Sequence, residues 1–225
     1  MQAVDAVLFD PVGALADFPP GPFQAAAAHV FPSSPTADAQ SVGGGTVGGS
    51  VGGSAAYWDL LDLLASCDRP LQAAEQRTID AAELDAVEGA FLYDDAGPAL
   101  VELAGLGVRL IVTSSLSERA LSRFLDRAAL NGLFHERWSR DTAGGVGDAV
   151  LRRAIASGSL VGDRVLFLTD TETGLRAATR AGVCPILMMN DPDEAMRLTA
   201  CGPAGGIVSL LELPDFVRLV ASRAR

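Results

Sequence analysis

The chain has 225 residues, 49% of them hydrophobic and 20% charged, and a formal net charge of −11. That length holds one large domain or a core with a small insert, and no run reaches the roughly eighteen unbroken apolar residues of a membrane span. The negative field repels phosphate backbones and no local basic patch offsets it, which argues against nucleic acid as a partner.

Asp5 to Asp10 is a short apolar run that ends in an acid and precedes Pro11 and Gly13, which predicts a buried strand with Asp10 at its carboxyl end. The chain enters this pattern without a basic segment, a long apolar stretch and a small-residue cleavage site. The three cysteines, Cys67, Cys184 and Cys201, are widely spaced and form no CxxC pair. Both features predict a cytoplasmic protein without a disulfide framework.

From about residue 17 to residue 92 the pattern is helical. A proline-rich stretch at Phe18 to Pro22 leads into an alanine-rich helix near Phe23 to Val30, and further helical patterns follow at Ala55 to Ala65 and Leu71 to Gly89. Residues 41–54 are a glycine-rich, low-complexity tract, read as a flexible linker, with a lid over the binding crevice as the alternative. The apolar face of Trp58, Leu60, Leu61, Leu63 and Leu64 is buried either within this insert or between subunits, so the oligomeric state is open.

Beyond the insert, Val108 to Ser114, Arg164 to Asp170 and Val183 to Met189 read as further strands. Helical patterns at Pro98 to Leu106, Glu118 to Leu130, Asp148 to Ala156 and Thr173 to Ala181 alternate with them. The expectation is an α/β protein: a Rossmannoid, doubly wound parallel sheet formed by residues 1–16 and 93–225, with residues 17–92 as an inserted helical cap. Ligands of such sheets bind at the carboxyl ends of the strands, which would gather Asp10, Thr113, Ser114 and Asp170 in one crevice. Each of these also suits a turn or cap, where short polar side chains bond free backbone groups; their joint placement favours a site. His29 and His135 have no triad-like partners and are expected to be structural.

Phe9-Asp10-x-x-Gly13-x-Leu15-x-Asp17, then Thr113-Ser114, then Asp170, each after a strand, with a helical insert behind the first, resemble the haloacid dehalogenase superfamily of phosphatases and related hydrolases. The phosphoglycolate-phosphatase-like branch, with its helical cap, is the most similar. Tyr93 to Ser114 and the alanine-rich stretch Arg176 to Gly182 add to the likeness, which covers nearly the whole chain.

The resemblance implies that Asp10 is the nucleophile, forming an aspartyl-phosphate. Thr113, Ser114 and Gly13 would bind the phosphoryl group. A weakly held Mg²⁺ would lie on Asp10, the Val12 carbonyl and Asp170, with Glu172 as the candidate for a further acid.

The chain also departs from that family. The general acid two residues after the nucleophile, worth roughly a hundred- to ten-thousand-fold in rate, is Val12, and the following Gly-Thr is Gly13-Ala14. All 17 basic side chains are arginines, so the family's lysine, expected in the region of Gly145 to Asp148, has no counterpart; Arg140 and Arg152 are the nearest replacements, with surface roles expected for both. The second magnesium acid is Gly174, and Glu172 equally suits a helix-dipole role.

These losses make the leading expectation a catalytically degenerate relative with a binding or regulatory role towards a protein partner or small ligand. A Mg²⁺-dependent phosphatase of a small phosphorylated metabolite is the alternative, and a dehalogenase-like hydrolase the third. That branch uses an arginine soon after the first motif, where the first arginine here is Arg69.

Overall fold

Six short runs form the central sheet of the computed structural model, which describes residues 4–32 and 52–223. They are β1 (Ala6–Phe9), β2 (Arg109–Thr113), β3 (Glu136–Trp138), β4 (Val165–Thr169), β5 (Cys184–Met188) and β6 (Gly205–Ile207). All neighbours pair parallel, in the order β3-β2-β1-β4-β5-β6. The central strands are almost continuously apolar and buried, as a parallel sheet covered on both faces requires.

The two edge strands do not advertise themselves in sequence. Glu-Arg-Trp in β3 is charged, and Gly-Gly-Ile in β6 has a single apolar side chain. Short, polar or glycine-bearing strands are typical of sheet edges.

Helices α1 (Pro20–Val30), α2 (Gly53–Ala65) and α3 (Ala73–Glu88) lie between β1 and β2. They are followed by α4 (Ala96–Gly105), α5 (Glu118–Arg127), α6 (Asp148–Ser157), α7 (Glu172–Ala181), α8 (Pro192–Leu198) and α9 (Leu213–Arg223). From β1 the chain builds outward to β2 and β3, then crosses back to β4 and builds the other side. The reversal falls at β1, so its carboxyl end, flanked by those of β2 and β4, is the topological switch point.

Residues leading into α1 and out of α3 pair as a short antiparallel ribbon, Ala16 with Leu92 and Asp17 with Phe91. Helix α1 lies against both α2 and α3, and α3 runs along α5. Aromatic rings join these helices to the sheet side: Phe18 lies 5.4 Å from Phe124 and 6.4 Å from Phe23, and Phe23 lies 5.3 Å from Tyr57. One hydrophobic cluster runs through all of them.

Most of the glycine-rich tract lies outside the described residues. Its last two residues, however, belong to a helix rather than a linker: Gly53 and Ser54 begin α2. A Cβ on Gly53 would lie 1.6 Å from the Phe18 carbonyl oxygen, so glycine there permits the close approach of α2. Among the described residues no helix is long and apolar enough to cross a membrane.

Candidate active site

Asp10 follows β1 directly and caps a tight turn over Pro11–Ala14. Its carboxyl Oδ1 accepts the Val12 N–H at 3.2 Å and the Ser114 hydroxyl at 3.3 Å. Asp10, Thr113 and Ser114 are each no more than 2% exposed. Burial is the main force on the Asp10 carboxyl, pushing it from 3.8 up to about 8; the bonds from Val12 and Ser114 pull it back, and the charge of Asp170 pushes it further up.

Asp170 stands at the end of β4, one strand over. Its Oδ2 accepts the Ser54 hydroxyl at 2.7 Å and the Asn190 amide at 3.1 Å. Its Oδ1 is buried and, among the described residues, without a hydrogen-bond partner. Burial raises this carboxyl to about 6, against the pull of Ser54 and Asn190. Gly13 makes the approach possible: its φ is +83°, and a Cβ there would lie 2.3 Å from Asp170 Oδ1. The Gly13 carbonyl accepts the Asn190 amide at 3.1 Å. A cleft of about 460 Å³ opens beside these groups, lined by Gly13, Ser54, Tyr93, Asp170, Asn190 and Glu194 among others.

Thr113 and Ser114 end β2 on the other side of β1. Thr113 Oγ1 is buried and has no hydrogen-bond partner among the described residues. The Ser115 N–H donates to the Tyr57 hydroxyl at 2.8 Å, and that hydroxyl lies 3.3 Å from Ser114 Oγ. Topology therefore brings Asp10, Thr113, Ser114, Gly13 and Asp170 together. Val12 also lies here, its side chain buried in the apolar core, with nothing to carry a proton.

Glu172 does not join them. Thr171 caps α7 by accepting the Gly174 N–H at 3.1 Å, and Glu172, the first residue of that helix, turns outward to pair with Arg176 at 2.5 Å. It lines a separate surface depression with Arg176 and Arg180, so the expectation that it completes a metal site is corrected to the dipole-facing, exposed role. Gly174 has no space for the family's acid, because a Cβ there would lie 2.0 Å from Thr169 Oγ1.

The expected surface role of Arg140 is also corrected. Its side chain is 9% exposed, bonded to Glu83, to Asp80 at 2.5 Å and to the Ser115 carbonyl at 3.2 Å. Glu83 in turn accepts the Ser117 N–H at 2.9 Å. Arg140 thus ties α3 to the loop that carries Ser114. Arg152 is 59% exposed and pairs with Asp148 on its own helix, in keeping with the surface role.

Three contributors are not foreseen from sequence. Ser54 is hidden in a glycine-rich tract, Tyr57 in an apolar helical stripe, and Asn190 in a turn. Only Asn190 carries a signal, since it closes the apolar run that contains β5.

The donors allow a test of the implied magnesium ion. Among the described residues no three His, Cys, Asp or Glu side chains converge. Mg²⁺ nevertheless often takes only one or two carboxylates and completes its shell with water and substrate phosphate. Two neighbouring carboxyls, Asp10 buried and Asp170 half-buried with a bare inward oxygen, fit an ion of that kind, held loosely.

A comparison with protein-family models matches none of them. Among curated proteins the chain is 35% identical over 116 residues to an enolase-phosphatase E1 from Frankia alni, covering 50% of this chain and 49% of that protein. It is 35% identical over 130 residues to an enolase-phosphatase E1 from Acidiphilium cryptum, covering 55% and 56%. The chain thus spans about half the length of the curated relatives it matches.

Among solved structures it is similar to a predicted phosphatase from Clostridium acetobutylicum, with a TM-score of 0.70 at 16% identity over 97% of this chain and 100% of that one. It is also similar to the L-2-haloacid dehalogenase from Xanthobacter autotrophicus, with a TM-score of 0.59 at 18% identity over 96% and 99%. The architecture is that of an α/β protein with a parallel six-stranded sheet and an inserted helical segment. More particularly, the chain has the haloacid dehalogenase-like fold.

Proposed function

We propose that the protein is a phosphate-ester hydrolase in which Asp10 is the nucleophile and a small phosphorylated metabolite the substrate. The observation that carries this reading is the convergence of Asp10, Ser114 and Asp170 at the carboxyl ends of three adjacent strands, at the switch point of the sheet. The enolase-phosphatase relatives support a phosphatase over other hydrolases.

In this reading an Asp10 oxygen attacks phosphorus, the bond from phosphorus to the leaving oxygen breaks, and that oxygen takes a proton. Water then attacks the aspartyl-phosphate and releases inorganic phosphate and the Asp10 carboxylate. The Ser114 hydroxyl and the Ser115 N–H are the donors suited to the phosphoryl oxygens, where charge builds up. Asp10, Asp170 and the Val12 carbonyl would hold Mg²⁺, which supplies charge neutralisation at the phosphoryl group and favours the ionised form of Asp10. Gly13 and Asn190 position Asp170 through close approach and a hydrogen bond.

Because Val12 offers no proton, the leaving oxygen depends on solvent. Esters with acidic leaving groups are therefore the best substrates in this reading.

That same Val12 favours a second reading, a binding or regulatory descendant that has lost hydrolysis. Phosphate release from a panel of phosphorylated metabolites and an activated aryl phosphate, with Mg²⁺, separates the two. Turnover that Asp10→Asn abolishes supports the hydrolase, and background release from both proteins supports the descendant.

A further inference from the structure

Helix α2 delivers a phenol into the centre of this site. Tyr57 is 1% exposed, its ring held by Phe23 at 5.3 Å and edge-on by Trp58 at 5.9 Å. Its hydroxyl oxygen accepts the Ser115 N–H at 2.8 Å and meets Ser114 Oγ at 3.3 Å, and Ser114 in turn donates to the nucleophile carboxyl at 3.3 Å. A backbone N–H beside a carboxylate nucleophile is a donor that a phosphoryl oxygen requires. On the Ser115 N–H an oxygen already sits, that of Tyr57, while the Ser114 hydroxyl proton goes to Asp10.

We propose that the Tyr57 hydroxyl occupies the seat of a phosphoryl oxygen, so that phosphate binds by displacing it and Tyr57 governs admission to the nucleophile. This rests on the phosphoryl-transfer reading above.

Two further observations agree. Asp10, Thr113 and Ser114 are sealed from solvent, and the neighbouring cleft is lined by Gly13 and Asp170 but not by Asp10 or Ser114. One turn earlier on the same helix, Ser54 bonds Asp170 at 2.7 Å. Helix α2 therefore latches onto the site at two points, one at the Ser115 N–H and one at the second carboxyl. A ligand that claims the first must move Tyr57, and the adjacent Trp58 moves with it.

The test is titration of inorganic phosphate, with Mg²⁺ present, into the native protein and Tyr57→Phe by calorimetry. It is paired with Trp58 emission in a Trp138→Phe background. Tyr57→Phe keeps the ring and removes the competing oxygen, so phosphate is expected to bind about two- to tenfold more tightly, the worth of one internal hydrogen bond that no longer has to be broken. In the protein that retains Tyr57, phosphate is expected to change the Trp58 emission.

Equal or weaker binding by Tyr57→Phe overturns the proposal and leaves the phosphoryl reading standing. An absence of phosphate binding by both proteins overturns that reading and the proposal together. If Tyr57→Phe does not fold, the emission of Trp58 decides: a change on binding supports displacement, and bound phosphate with unchanged emission refutes it.

Discussion

Replacing Asp10 by asparagine keeps the shape of a buried side chain and removes its charge, which makes stability a readout independent of catalysis. The native carboxyl is 2% exposed and is pushed from 3.8 to about 8, chiefly by burial. The unfolded chain releases this proton near pH 4, and the folded protein holds it until about pH 8. Between those values the native state binds the extra proton, so its stability is full at the acid end and falls as pH rises, at about 1.4 kcal/mol per pH unit. Across the interval the loss is on the order of 5 kcal/mol.

Asp10→Asn escapes that loss, and Asp170, which is raised to about 6, contributes with the same sign to both proteins. The variant is therefore expected to match the native protein within about 1 kcal/mol near pH 4 and to exceed it by several kcal/mol near pH 8. Urea unfolding at a series of pH values, with divalent cations removed, measures the difference. A gap between the two proteins that stays constant across the series would show that burial does not hold the proton on Asp10.

Arg140→Ala leaves Glu83 buried without its cation, and a loss of about 3–5 kcal/mol is expected in urea unfolding; a loss below about 1 kcal/mol would return Arg140 to the surface role expected of it from sequence. Glu172→Gln is expected to leave Mg²⁺ affinity within about twofold of native, because its carboxylate faces Arg176, whereas Asp170→Asn removes a candidate ligand and should abolish binding. Calorimetric titration of Mg²⁺ checks both, and a large effect of Glu172→Gln would bring that side chain back into the site.

The strands that position the chemistry were legible because burial on both faces leaves continuous apolar runs, and Asp10 and Asp170 stood out as acids closing two of them. The edge strands were not, since Glu136 to Trp138 and Gly205 to Ile207 are stabilised by pairing with a neighbour rather than by their own apolar content. The order of the motif residues made the haloacid dehalogenase likeness readable, and the missing acid at Val12 was equally plain. What sequence could not convey was direction. Glu172 and Asp170 are two residues apart, yet the cap made by Thr171 sends one outward while the other faces the cleft. Arg140 looks like any exposed arginine until α3 brings Asp80 and Glu83 against it. Tyr57 and Ser54 reach the site only through the way α2 crosses Phe18, a contact between distant segments that leaves no local pattern.

Phosphoryl transfer to Asp10 is read from the mass of the Asp10-containing fragment after brief exposure of the Mg²⁺-supplemented protein to an activated aryl phosphate, quenched in acid. A fraction of that fragment heavier by one phosphoryl group, absent in Asp10→Asn, is the expected result. An unmodified fragment in a protein that nonetheless releases phosphate, or a phosphoryl group on another residue, would contradict it.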